Sequence, residues 1–176
     1  MKVVLDLDGV IVDMVGGMEE HFDIKIKEWP KGEQLLEKVF EKVFDMSPKR
    51  LWANLGFEFW SNLKWTKDGQ RILTKLTMAF GQENIVICTS PTLNPQAAAG
   101  KMAWIQKQLP VFSRSFLIGS PKEFLAQDQS ILIDDFDYNV NKFRKHGGHA
   151  ILVPRPWNSN HELDTLTHIT ECLKGI

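Results

Sequence analysis

Asp6 and Asp8 stand either side of Leu7, with Gly9 directly after them. If the chain relaxes into a loop after Asp6, both carboxylates can face one pocket. One of the pair can then attack phosphorus, and the other can protonate a leaving oxygen and later deprotonate water. Three further segments carry compatible groups: Thr89-Ser90-Pro91, Gly119-Ser120-Pro121-Lys122 and Asp134-Asp135. Gathered into a small volume, these carboxylates would repel one another unless a cation compensated. Hard oxygen donors with few His or Cys nearby suit Mg²⁺. Mg²⁺ beside one Lys and hydroxyl donors suits a phosphate group. A lone Asp-x-Asp more often marks a turn; its combination with a hydroxyl pair, a Lys and an Asp-Asp pair is specific.

Each of these groups follows a short apolar run. The runs are Val3 to Leu7, Asn84 to Cys88, Ser115 to Ile118 and Ser130 to Ile133, and a fifth covers His149 to Val153. Their apolar character is nearly continuous rather than alternating, as in strands covered on both faces of a parallel sheet. The stretches between them have helical spacing. Lys67 to Phe80 carries Ile72, Leu73, Leu76 and Phe80; Ala97 to Leu109 carries Met102 and Ile105 and stops at Pro110; Asn139 to His146 stops at Gly147-Gly148. Strand-helix alternation predicts an α/β fold with a doubly wound parallel sheet, whose strand C-termini share one edge where ligands bind.

The segment from Met14 to Trp65 breaks the alternation. Leu35, Leu36, Val39, Phe40, Val43 and Phe44 have helical periodicity, and Trp29, Trp52, Phe57, Phe59, Trp60 and Trp65 crowd the same stretch. It reads as a small helical cap above the end of the first strand. The expected division is residues 1–13 and 66–176 as the core and 14–65 as the cap. An insert this small has little interior, so some aromatics are expected to face a ligand.

The run Asp6-Leu7-Asp8-Gly9-Val10 resembles the first motif of the haloacid dehalogenase (HAD) superfamily. Ile87-Cys88-Thr89-Ser90-Pro91 is similar to its second motif, Lys122 to its third and Ile133-Asp134-Asp135 to its fourth, all in family order. The nearest branch is the 5'(3')-deoxyribonucleotidases. It is approached through Val12-Asp13 with Gly16-Gly17, Gly100-Lys101-Met102-Ala103-Trp104-Ile105 and Pro154-Arg155-Pro156-Trp157-Asn158. The resemblance implies a HAD-like Rossmannoid three-layer α/β/α sheet with a cap after the first strand. It implies a phosphomonoesterase working through an aspartyl-phosphate on a (deoxy)nucleoside monophosphate. Asp6 would be nucleophile and Asp8 acid/base. Mg²⁺ would be held by Asp6, the Asp8 carbonyl and the Asp134-Asp135 pair, with Asp135 in direct contact and Asp134 behind it. Thr89, Ser90 and Lys122 would hold phosphoryl oxygens, and Lys101 would reach the substrate. Met14 stands where members commonly carry an aromatic that lines the base pocket, and Trp29, Trp52 and Phe59 are the expected base-stacking rings.

The remaining features are bland or exclusionary. His146 and His149 flank a Gly-Gly turn and read as turn residues. Cys88 reads as a buried structural thiol, Trp104 as core, Trp157 as a cover on the sheet edge. A closing helix is expected between Asn158 and Ile176, with Leu163, Leu166, Ile169 and Leu173 on one face. The chain has 176 residues, a net charge of -1 and two cysteines. That fits one domain with a full core, no bulk field for stable nucleic-acid binding, and a reducing, cytoplasmic setting. No apolar run approaches the ~20 residues of a membrane span, and Asp6, Asp8 and Asp13 make a signal peptide unexpected. A monomer or homodimer is expected. The competing readings are the same chemistry on another small phosphate or a nucleic-acid end, and an idle HAD-fold binding domain.

Overall fold

Val3, Val4 and Leu5 are buried on both sides of the backbone, which only a central strand allows. In the computed structural model, which describes residues 1–29 and 36–175, they form β1 (Lys2–Leu5). β2 (Ile85–Thr89), β3 (Phe116–Ile118), β4 (Ser130–Asp134) and β5 (His149–Leu152) complete one sheet in the order β3-β2-β1-β4-β5. All pairings are parallel, with Val3 beside Ile85 on one flank and Ile131 on the other. The α/β parallel architecture is therefore as expected. β1 ends at Leu5, two residues earlier than its apolar run suggests, although the Asp6 amide still donates to the Ile133 carbonyl at 2.9 Å.

Four helices follow β1: α1 (Met14–Phe22), α2 (Leu36–Phe44), α3 (Pro48–Asn54) and α4 (Phe57–Ser61). Asp13 caps α1 by accepting from the Gly16 amide, and Asp23 ends it in the left-handed region. Leu35, counted in the helical pattern, lies outside the described residues. Phe40, Phe44, Leu51 and Trp60 are buried at the centre of this group. The remaining helices are interleaved with the strands: α5 (Gly69–Phe80), α6 (Pro95–Gln108), α7 (Asp137–Lys145) and α8 (Thr165–Lys174), with only a short 3-10 turn between β3 and β4. Asn94 and Pro95 open α6, as an N-cap followed by proline at the first helical position should. Gly147, at φ +90°, lets α7 turn into β5.

α8 is shorter than expected. Asp164 caps it, accepting from the Thr167 amide at 2.9 Å, so Leu163 precedes the helix and is exposed. Trp104 is buried, its indole donating to the Leu63 carbonyl at 2.7 Å. Burial pushes the Cys88 thiol up to about 11, which leaves it unreactive. His146 Nδ1 meets the Lys142 carbonyl, consistent with a turn residue.

Candidate active site

After Leu5 the chain leaves the sheet in a tight turn. The Ile11 and Val12 amides both donate to the Leu7 carbonyl. Gly9 sits at φ +73°, and a Cβ there would come within 2.0 Å of an Asp135 oxygen. Both the backbone angle and the neighbour require glycine. The turn folds Asp6 and Asp8 back over the strand ends, beside the C-terminal edges of β2 and β4.

Lys122 Nζ lies 2.7 Å from Asp6 and 2.6 Å from Asp134, with all three side chains buried. Burial lowers the proton affinity of this ammonium, but Asp134 and Asp6 outweigh that and hold it well above the ordinary lysine range. Asp134 also accepts from the Phe136 amide at 2.9 Å and from the Asn139 amide group at 3.1 Å. Both its oxygens are thus engaged. Asp135 differs: among the described residues it accepts one side-chain hydrogen bond, from Trp157 at 2.7 Å.

Asp6, Asp134 and Asp135 each present a carboxylate oxygen, all within 4.8 Å of one another. Burial raises the Asp6 carboxyl to about 7; Lys122 opposes this, while Asp134 and Asp8 add to it. Burial, then Asp134 and Asp6, raise Asp135 well above the carboxylate range. One ammonium does not neutralise three buried carboxylates. A hard divalent cation fits this donor set, and Asp135 has the oxygen left to meet it.

Lys101, on α6, is buried and ion-paired with Asp8. Its ammonium also donates to the Thr89 hydroxyl at 3.2 Å and the Ser90 carbonyl at 2.5 Å, and lies 4.5 Å from the centre of the Trp60 ring. Thr89 in turn donates to Asp8 at 3.3 Å. The other Asp8 oxygen is buried without a partner among the described residues.

These groups open onto a cavity of 690 Å³ lined by Asp6, Asp8, Met14, Ser90, Lys122 and Asp135, with Phe136 and Tyr138 on its wall. Thr89 and Lys101, expected to touch the substrate, are buried against Asp8 and are not among the lining residues. Three expected aromatics also lie elsewhere. Trp52 packs between Phe40 and Trp60 inside the helical insert, because facing helices leave room there for its ring. Phe59 meets His21 and Trp60, at a separate groove on the outer side of α1. Trp29 rests on Trp157. The aromatics on the cavity wall are instead Phe136 and Tyr138, with ring centres 6.3 Å apart. Sequence reasoning passed over them and Asn139. The available signal was two rings within four residues of Asp134-Asp135, at the start of a helix.

The family model for 5' nucleotidase, deoxy (pyrimidine), cytosolic type C proteins matches residues 1–171. Among solved structures, a haloacid dehalogenase-like family hydrolase from Streptococcus pneumoniae is similar at 14% identity and a TM-score of 0.53, over 95% of this chain and 90% of that one. A hydrolase from Pseudomonas syringae is similar at 16% identity and a TM-score of 0.55, over 97% of this chain and 98% of that one. At these identities the two structures speak to the fold alone. No protein of curated function matches the chain. No described helix is long and apolar enough to cross a membrane.

Proposed function

We infer the activity from one premise: this chain belongs to the 5' nucleotidase, deoxy (pyrimidine), cytosolic type C family, and is a phosphatase-class hydrolase of HAD type. The substrate we propose is a deoxynucleoside monophosphate. Residues 1–13 and 66–176 act as the catalytic core and 14–65 as its cap. The observation that carries the mechanism is the placement of Asp6 on buried Lys122 and of Asp8 on buried Lys101 at one sheet edge.

Asp6 has one oxygen held by Lys122. Its carboxylate attacks phosphorus, forming an aspartyl-phosphate as the ester P–O bond breaks. Asp8 enters this step protonated on the oxygen that Lys101 and Thr89 leave free, and gives that proton to the departing sugar oxygen. It then takes a proton from water, which attacks the same phosphorus, releases inorganic phosphate and restores Asp6. Lys101 and Thr89 fix the orientation of Asp8. Ser90 and Lys122 line the cavity where phosphoryl oxygens would sit. Asp6 and Asp135, joined by the Asp8 carbonyl, would hold Mg²⁺, whose charge would offset both the carboxylates and the phosphate. Asp134, saturated by Lys122, Phe136 and Asn139, holds Lys122 in place. The nucleoside rests against Phe136, Tyr138 and Met14.

The test is phosphate release from deoxynucleotides, ribonucleotides and sugar phosphates, with Mg²⁺ and with EDTA, beside Asp6→Asn. Mg²⁺-dependent release from deoxynucleotides, lost in Asp6→Asn, supports the reading. Release from sugar phosphates alone keeps the chemistry and removes the nucleotide assignment. No release from any ester sinks both.

A further inference from the structure

The segment from Pro154 to Asn158, just after β5, runs behind both carboxylate-bearing loops. Arg155 reaches the first loop, donating to the Gly9 carbonyl at 2.5 Å and the Val10 carbonyl at 3.0 Å. Asn158 reaches the second, donating to the Asp135 carbonyl at 2.8 Å and to Val153 at 2.7 Å. Between them, the Trp157 indole N–H donates to the Asp135 side chain at 2.7 Å. The Trp157 ring also meets the ring of Trp29, with centres 5.2 Å apart and planes inclined at 53°. Trp29 lies on the stretch between α1 and α2, so one indole touches both the site and the insert.

We infer that Trp157 is a positioning residue: it aims Asp135 at the cation, and Trp29 from the helical insert clamps it in that pose. This rests on the reading above that Asp135 meets Mg²⁺. An indole N–H is a donor only. It occupies one lone-pair direction of one carboxylate oxygen and leaves the other oxygen to a metal. Groups that orient a metal ligand in this way set its affinity as much as its geometry. The side chain has little room to turn elsewhere: a Cβ on Gly9 would lie 2.0 Å from an Asp135 oxygen and 3.1 Å from the Trp157 ring. Asn158 fixes the Asp135 backbone, so the Trp157 bond governs the remaining side-chain rotation. Trp157 is only half-buried, and Trp29 covers it. Moving the insert segment away would free the indole and loosen Asp135.

The test is calorimetric titration of Mg²⁺ into the full-length protein without substrate, for the parent, Trp157→Phe, Trp29→Ala and Trp29→Phe. Trp157→Phe keeps a ring but loses the N–H. It should weaken Mg²⁺ binding roughly ten- to hundredfold, with KM for substrate at saturating Mg²⁺ unchanged. Trp29→Ala should weaken binding in the same direction, and Trp29→Phe should restore it. A merely structural role for Trp157 would lower the melting temperature without this selective loss. Parent-like Mg²⁺ affinity in Trp157→Phe overturns the proposal. Parent-like affinity in Trp29→Ala overturns the clamp, and does so even if Trp157→Phe fails to fold. A parent that binds Mg²⁺ with the predicted ranking of variants, yet releases no phosphate, counts against the activity and not against Trp157.

Discussion

Lys101 is ion-paired to Asp8 across 93 positions of sequence, and the pair is nearly closed off from solvent on the lysine side. The ammonium is enclosed by Thr89, the Ser90 carbonyl and the Trp60 ring. Removing it as Lys101→Met should lower kcat about ten- to hundredfold, since a hydrogen bond to a charged group is worth about 1.5–3 kcal/mol. Lys101→Arg should not rescue, because a planar fork does not fit an enclosure shaped around a point charge. Steady-state kinetics of both variants checks this; full activity in Lys101→Met would remove the lysine from the mechanism.

Asp6→Asn separates activity from stability. Phosphate release should fall by at least about a thousandfold, the scale on which enzymes suffer from loss of a nucleophile. The melting temperature in EDTA should stay level or rise, because one of three crowded carboxylates loses its charge while Lys122 keeps Asp134. A marked drop in metal-free stability would show that the Asp6 charge supports the fold.

Removing metal should make stability fall with rising pH. Asp6 titrates near 7 when folded, against an ordinary 3.8, and Asp135 is raised as well. The folded state then binds protons that the unfolded state has released. This contribution favours folding near pH 4 and is lost as pH rises to about 7. Glu20, Glu123 and Asp164 are lowered instead, and cost stability only under acid conditions near and below their ordinary values of 4.5 and 3.8. Added Mg²⁺ should therefore raise the melting temperature more at pH 8 than at pH 5. Thermal melts with Mg²⁺ and with EDTA across that range decide it.

Tyr138→Ala should raise KM for nucleotides several-fold with kcat nearly unchanged, since a ring contact worth about 1 kcal/mol acts equally on substrate and transition state. Phosphate esters without a ring should be unaffected. Trp52→Ala should behave in the opposite sense, costing about 3 kcal/mol of stability with no change in substrate preference. A shift in base preference from Trp52→Ala alone would move the base back to the cap.

Arg155→Met leaves Asp68 buried without its partner and takes donors from the Gly9 and Val10 carbonyls. Breaking such a pair costs about 3–5 kcal/mol. Urea unfolding should show this loss, and a change under about 1 kcal/mol would mean that water replaces the guanidinium.

The sheet edge was legible because strand ends are local. Asp6, Thr89, Lys122 and Asp134-Asp135 each follow an apolar run, and parallel strands bring their ends together whatever the loops do. The fate of the aromatics was not local. Whether Trp52 faces a ligand or Phe40 depends on how α2, α3 and α4 pack, which periodicity does not specify. Phe136 and Tyr138 were hidden by their place at a helix start. Lys101 was singled out through the family resemblance, but its pairing with Asp8 depends on how α6 docks against the first loop. Trp157 read as a cover for the sheet edge, because a hydrogen bond to Asp135 depends on a contact between the loops that follow β4 and β5.

The strand order also dictates timing. β1 leaves the ribosome first, yet one of its two partners is β4, and Val3 waits for Ile131. At about 5–20 residues per second that wait is on the order of ten seconds. During it the central strand of the sheet has an open flank, and the carboxylates that follow it have no Lys122 to answer them. The nascent chain thus carries no working hydrolase until Lys122 and β4 have been made. Its dependence on chaperones should be greatest before β4 emerges, and should fall away once that strand docks.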